Sequence, residues 1–163
     1  MSYEYSEDGL VEAATQEILE DLGWTVEYAW TQEILATQPD RSDGLLGRVN
    51  KSEVILERYL LTALRQLNPD LPAIAYQQAV DQISRSIADK HLAEINKDKH
   101  SLLINGVAVS YQDERGVLQK KRLKVFNFAD PQANDFRAIR QLEVVGKLYN
   151  RRPDIAGFVN GIS

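Results

Sequence analysis

No cysteine occurs among the 163 residues, which excludes disulfides and thiolate chemistry. Histidine is almost as scarce. His91 and His100 stand nine residues apart in a polar segment, a poor basis for a histidine-rich zinc site. No apolar run approaches the length that spans a bilayer, and Met1-Ser2-Tyr3-Glu4 does not read as a signal peptide. The expectation is a cytoplasmic chain without membrane contact. A basic excess is lacking too: 19 Lys and Arg face 24 Asp and Glu, for a net charge of −5. That balance argues against a stand-alone nucleic-acid binder and still suits a catalytic module delivered to DNA by other domains. Gly-x-Gly-x-x-Gly, a P-loop lysine and a Gly-x-Ser-x-Gly elbow are all missing. So are internal repeats, low-complexity tracts and linkers.

What is present suits one globular domain over 1–163, with 44% hydrophobic and 26% charged residues. Ser6 is placed to cap a first helix, with Glu7 and Asp8 complementing its dipole. Leu10, Ala14, Ile18 and Leu22 recur at helical spacing, and Gly23 suits the position after the last turn. Trp24, Val26, Tyr28 and Trp30 alternate with Thr25, Glu27 and Ala29, as in a half-buried strand. That period suits core packing better than a base-stacking platform. Residues 36–49, with Pro39, Gly44 and Gly47, read as a loop. A second helix is expected from Asn50, with Glu53 as its capping-box partner, through Leu56, Leu60, Leu64 and Leu67 to Asn68-Pro69. A third is expected over 72–96, with Tyr76, Val80, Ile83 and Ile87 on one face. Strands follow at Leu102–Tyr111 and Val117–Phe128 around a turn at 112–116, then at 136–147 and 153–160. Helices first and strands later indicate a mixed α/β domain of the α+β type.

Two basic clusters stand out: Lys120, Lys121, Arg122 and Lys124, and the pair Arg151-Arg152. Lysine at a sheet edge blocks unwanted pairing, and a solvated edge is the preferred reading of both. Three of the five prolines precede aspartate: Pro39-Asp40 in a loop, Pro69-Asp70 between two helices, where Asp70 suits a helix cap, and Pro153-Asp154. Only Asp154 leads into a strand-like run, Ile155-Ala156-Gly157-Phe158-Val159. Proline is tolerated at the start of a strand and restricts its neighbours, so Asp154 would sit rigidly at the mouth of a sheet. Two readings stand open there, a turn cap and a Mg²⁺ ligand. Mg²⁺ takes oxygen ligands, usually one or two carboxylates with several waters. The other donor to consider is Glu12, at the margin of the first helix's apolar stripe; alone it reads as an exposed helix glutamate.

Four segments, in order, carry a resemblance to a known family. They are Ser6-Glu7 with Glu12, Ile18 and Gly23-Trp24; Asn50 through Leu67-Asn68-Pro69; Val125-Phe126-Asn127-Phe128 with Asp130-Pro131, Asn134-Asp135-Phe136 and Gln141; and Arg152-Pro153-Asp154-Ile155 with Phe158-Val159-Asn160-Gly161-Ile162. Together they span essentially the whole chain, which resembles the N-terminal region of the R subunit of type I restriction enzymes. The resemblance implies the N-terminal part of a PD-(D/E)xK nuclease domain, a restriction-endonuclease-like mixed sheet flanked by helices. It implies Asp154 as the metal-binding aspartate and Glu12 as the helix acid that assists it, both on one side of the sheet. In the family a strand ending in Glu-x-Lys follows, whereas here Ile162 is followed by Ser163. The expectations are therefore that this chain alone cleaves no DNA and that the strand begun by Asp154 favours a homodimer. The complete subunit is expected to cut double-stranded DNA with Mg²⁺ after ATP-driven translocation, alongside methylation and specificity subunits. The competing expectation is a non-catalytic interaction module, or a truncated inactive gene product, of the same fold.

Overall fold

The computed structural model describes residues 7–88 and 92–163. Ser6, the expected first cap, and His91 lie outside the described residues, as does the side chain of Ile87. In chain order the elements are α1 (Glu7–Asp21), β1 (Thr25–Tyr28), α2 (Glu57–Leu67), α3 (Ala73–Ala88), α4 (Leu92–Asn105), β2 (Val107–Gln112), β3 (Leu118–Leu123), β4 (Phe136–Arg140), β5 (Val144–Val145), β6 (Asn150–Arg151) and β7 (Ile155–Val159). A 3₁₀ turn spans Pro131–Ala133. They form two compact units, one from residues up to Val54 together with Asp135–Ser163, the other from Ile55–Asn134. The class is α+β with a mixed sheet, as expected.

The first, or sheet, unit is built on the order β1-β4-β7, with β1 parallel and β7 antiparallel to the central β4. Helix α1 ends as its Gly23 suggests. Gly23 takes φ +86°, and Trp24 N–H returns to the Leu19 carbonyl at 2.9 Å, closing a Schellman motif. Trp24 then packs on Phe136, ring centroids 5.3 Å apart, and lies over the bare Cα of Gly157. The expected apolar stripe of α1 is not its packed face. Leu10, Ile18 and Leu22 are exposed, while Glu12, Gln16 and Leu19 are half-buried. The polar face wins because Arg140 and Gln141 offer Glu12 and Gln16 hydrogen-bond partners.

Residues 29–54 contain no helix or strand, yet they are firmly organised by one side chain. Arg48 is completely buried and bonds Glu33 twice, at 2.7 and 2.6 Å. Its remaining N–H groups reach the carbonyls of Lys51 (3.3 Å), Glu53 (3.1 Å) and Glu143 (2.9 Å). The expected helix start at Asn50 fails for a related reason. Asn50 Oδ1 accepts the Ser52 N–H and hydroxyl in an Asx turn. Glu53 is committed to Arg41, at 2.7 and 3.0 Å, and to Val49 N–H. Helix α2 therefore begins only at Glu57, after Leu56, which makes no side-chain cap.

The second, or hairpin, unit follows apolar periodicity. Leu56, Leu60, Leu64, Tyr76, Val80 and Ile83 are buried at the expected positions. Asn68 ends α2, and its amide bonds the Leu64 and Lys124 carbonyls and accepts Lys124 N–H. At the joint, Asp70 takes a left-handed φ of 64°. Tyr76 closes that joint, its hydroxyl donating to Asn68 O at 2.6 Å and accepting Leu71 N–H at 3.3 Å. The long third helix is in fact two, α3 and α4, and α4 runs through Leu102 to Asn105, a stretch that reads as strand. Gly106, at φ +80°, stops it where a Cβ would lie 2.5 Å from Leu123 O. The antiparallel pair β2-β3 turns at 112–116 as expected, with Asp113 Oδ1 accepting the Arg115 and Val117 N–H groups. The outer edge of β2 is closed by side chains of α3: the Gln78 amide both donates to Ser110 O and accepts Ser110 N–H, and Gln82 donates to Ala108 O. Strand β3 ends at Leu123 rather than Phe128, because Asn127 and Asn134 fold the following residues into a loop.

Candidate functional site

The strand expected over 136–147 breaks at Gln141, which adopts φ +55°. The break sends the chain into the short β5-β6 hairpin, Val144 pairing with Arg151 and Val145 with Asn150, before β7 begins. The base of this excursion is closed by Gln141 N–H donating to Asp154 O at 2.9 Å. Gln141 and Asp154 therefore face each other at the end of adjacent antiparallel strands.

The Gln141 side chain joins the two acids singled out in the sequence. Its Nε2 donates to Glu12 Oε1 at 2.9 Å and to Asp154 Oδ1 at 3.2 Å. An amide nitrogen has two hydrogens, one for each carboxylate. Glu12 and Asp154 thus lie on the same side of the sheet. They are not equivalent. The Glu12 side chain is about four-fifths buried, and its Oε2 accepts from Arg140 at 2.8 Å. Arg140 also donates to Gln16 Oε1 at 2.7 Å and lies over the Tyr28 ring, 5.4 Å from its centroid. Its Nε is buried without a hydrogen-bond partner among the described residues. Asp154 is exposed, and among the described residues its carboxylate is held by the Gln141 amide. Glu12 is a fixed carboxylate under a guanidinium, and Asp154 an open one above it.

Carboxylate oxygens are the donors that a hard divalent cation such as Mg²⁺ takes, usually one or two of them with several waters. Among the described residues no three acidic or histidine side chains converge as a metal cluster; Glu12 and Asp154 are the two carboxylates that the Gln141 amide joins. Of the other proline-aspartate carboxylates, Asp40 accepts the N–H and hydroxyl of Ser42 in a local loop turn, and Asp70 stands in the α2–α3 joint. Sequence reading missed Arg140 and the function of Gln141. Their bonds to Glu12 span 128 and 129 residues, and no local pattern encodes such a pairing.

The class defined by these features is an α+β protein whose mixed sheet carries an acidic pair at one end of its strands. Residues 4–163 match the family model described as the type I restriction enzyme R protein N terminus, and the chain belongs to that family. It is 31% identical over 156 residues to the type I restriction enzyme HindI endonuclease subunit of Haemophilus influenzae, an alignment that takes in 93% of this chain. The chain spans about 14% of the length of that relative. No helix among the described residues is long and apolar enough to cross a membrane.

Proposed function

We propose that this chain is part of the endonuclease domain of a type I restriction R subunit, whose complete form cuts double-stranded DNA with Mg²⁺. The single observation that supports it best is the Gln141 amide holding Glu12 and Asp154 together. Asp154 is the open ligand, and Glu12, through the same amide, sets its position. A bound Mg²⁺ supplies activation of the attacking water and stabilisation of the leaving oxygen. What the chain itself supplies is pre-orientation: Arg140 fixes Glu12, Gln141 fixes Asp154 from both backbone and side chain, and neither acid has to be gathered at binding. ATP-driven translocation, methylation and specificity subunits, a cytoplasmic address and self-association along β7 belong to the same proposal.

The test is metal binding by the 163-residue chain, read by Mn²⁺ paramagnetic resonance or by terbium luminescence. Asp154→Ala is expected to abolish binding, and Gln141→Ala to weaken it roughly tenfold, in keeping with the loss of an orienting partner. Mg²⁺ should compete with either probe. A chain that binds no divalent ion, or binds it equally well after Asp154→Ala, is a non-catalytic interaction module.

A further inference from the structure

The sheet unit is strongly acidic, with fifteen Asp and Glu against eight Lys and Arg. Five of those eight cations are consumed internally. Arg41 pairs with Glu53, Arg48 with Glu33, Lys51 with Glu143, Arg137 with Glu27 and Asp135, and Arg140 with Glu12. The remaining three are Lys147, Arg151 and Arg152, all on the excursion whose base is the Gln141–Asp154 bond. None forms a contact ion pair among the described residues. Arg152 acts on the Glu143 carboxylate only through space, since the contact there belongs to Lys51 at 2.6 Å.

The two arginines are nevertheless held in place. Arg151 lies 5.0 Å from the Tyr149 ring centroid and donates to its hydroxyl at 2.8 Å. Arg152 lies 4.4 Å from the ring of Trp30, itself half exposed. A guanidinium stacked on a ring keeps its edge N–H groups turned outward for a planar or tetrahedral oxyanion. At the tip, Leu148 is 90% exposed, more than any other large apolar side chain described. Cations on rings beside a bare apolar tip are the parts that proteins use against a duplex: charge for the phosphates, an apolar side chain for the groove.

We infer that the 142–153 excursion is a duplex-gripping element, with Lys147, Arg151 and Arg152 on backbone phosphates and Leu148 against the groove. It rests on the reading of the chain as a nuclease module, and it places the gripped phosphates beside Asp154. The basic row of β3 is the internal competitor. Its Arg122 is committed to the Asn105 and Gly106 carbonyls at the end of α4, and its lysines suffice to protect a strand edge.

The experiment is fluorescence anisotropy of a short labelled DNA duplex with the 163-residue chain, in EDTA, across a salt series. Three phosphate contacts give a slope of log affinity against log salt of roughly −3. The double variant Arg151→Gln with Arg152→Gln should weaken binding roughly tenfold at low salt and remove about two units of that slope. Leu148→Ser should weaken it by about threefold and leave the slope unchanged, because that contact is not ionic. Lys120→Gln with Lys121→Gln and Lys124→Gln should leave both quantities unchanged. All the substituted side chains are exposed, so folding is retained. Absence of binding by the parent chain, an unchanged Arg151/Arg152 variant, or a loss confined to the β3 variant overturns the inference. Because EDTA excludes metal, these outcomes are independent of the metal titration at Asp154.

Discussion

The two units solve the same problem with opposite materials. In the sheet unit the largest fully buried side chain is a guanidinium: Arg48 holds a helix-free, strand-free segment by five N–H donors aimed at Glu33 and three carbonyls. In the hairpin unit the buried side chains among the described residues are leucine, valine, isoleucine and alanine with Tyr76, and glutamine amides complete a strand edge. The difference shows that an irregular segment needs directional bonds to be unique, whereas helices at 3.6-residue spacing need only area to bury.

Breaking the Arg48 pair is the strongest way to probe that contrast. Arg48→Met should destabilise the chain by about 3–5 kcal/mol, since it strands the Glu33 charge in the interior and removes the donors of three carbonyls. Urea unfolding measures it. Adding Glu33→Leu should recover part of the loss by removing the stranded charge; a double variant no better than the single one would mean that the carbonyls, not the ion pair, dominate.

The hairpin unit should respond more mildly to loss of its polar groups. Gln78→Ala with Gln82→Ala removes three hydrogen bonds to β2 and should cost about 1–3 kcal/mol. The Ser110 amide should then exchange hydrogen markedly faster. Unchanged exchange would show that burial alone protects that edge.

The smallest effect is on the acid side. Asp43 is held below the usual aspartate range, first by the Thr37 hydroxyl and then by the Gln38 N–H. Asp113 is lowered by the Val117 N–H and the Gln119 amide, and Asp40 by the Ser42 hydroxyl and N–H. A folded value below the unfolded 3.8 contributes stability above pH 3.8, which is lost as pH falls through the folded values. Denaturation midpoints should therefore be flat above about pH 5 and decline below about pH 4, with a shallower decline in Asp43→Asn.

The same contrast explains what could be read in advance. Leu60, Leu64, Val80 and Ile83 betray their burial by spacing, and Gly23 betrays the end of α1. Asp154 betrays its place at a strand start through Pro153. Helix α1 defeats the same logic, since Leu10, Ile18 and Leu22 have the right period and lie outside while Glu12 and Gln16 lie in. Their partners, Arg140 and Gln141, are found only by folding. Glu53, a capping partner by spacing, was claimed instead by Arg41. Leu102–Asn105 carries no mark that separates a helix end from a strand start except the glycine after it. Local chemistry is legible where neighbours in sequence are neighbours in space: Pro153 marks the place of Asp154, whereas Glu12 by itself reads as an exposed helix glutamate and is singled out only by the family resemblance, and the amide between them is found only by folding.

The end of β7 carries a consequence of another kind. Val159 and Ile162 exchange both backbone hydrogen bonds around Asn160 and Gly161, at φ 51° and 80°, the two-residue reversal that favours asparagine followed by glycine. That dipeptide is also the one whose side-chain amide most readily cyclises onto the next backbone nitrogen and hydrolyses to an acid. In the folded chain Asn160 is 1% exposed and its Oδ1 is held by the Asp135 N–H at 2.7 Å, so the amide is shielded from that attack. Once unfolded, the shield is gone, and each deamidated copy returns with a charged carboxylate at a position the fold buries. Chemical ageing at this one residue thus turns a reversible unfolding into an irreversible loss, with a clock that runs only while the chain is open.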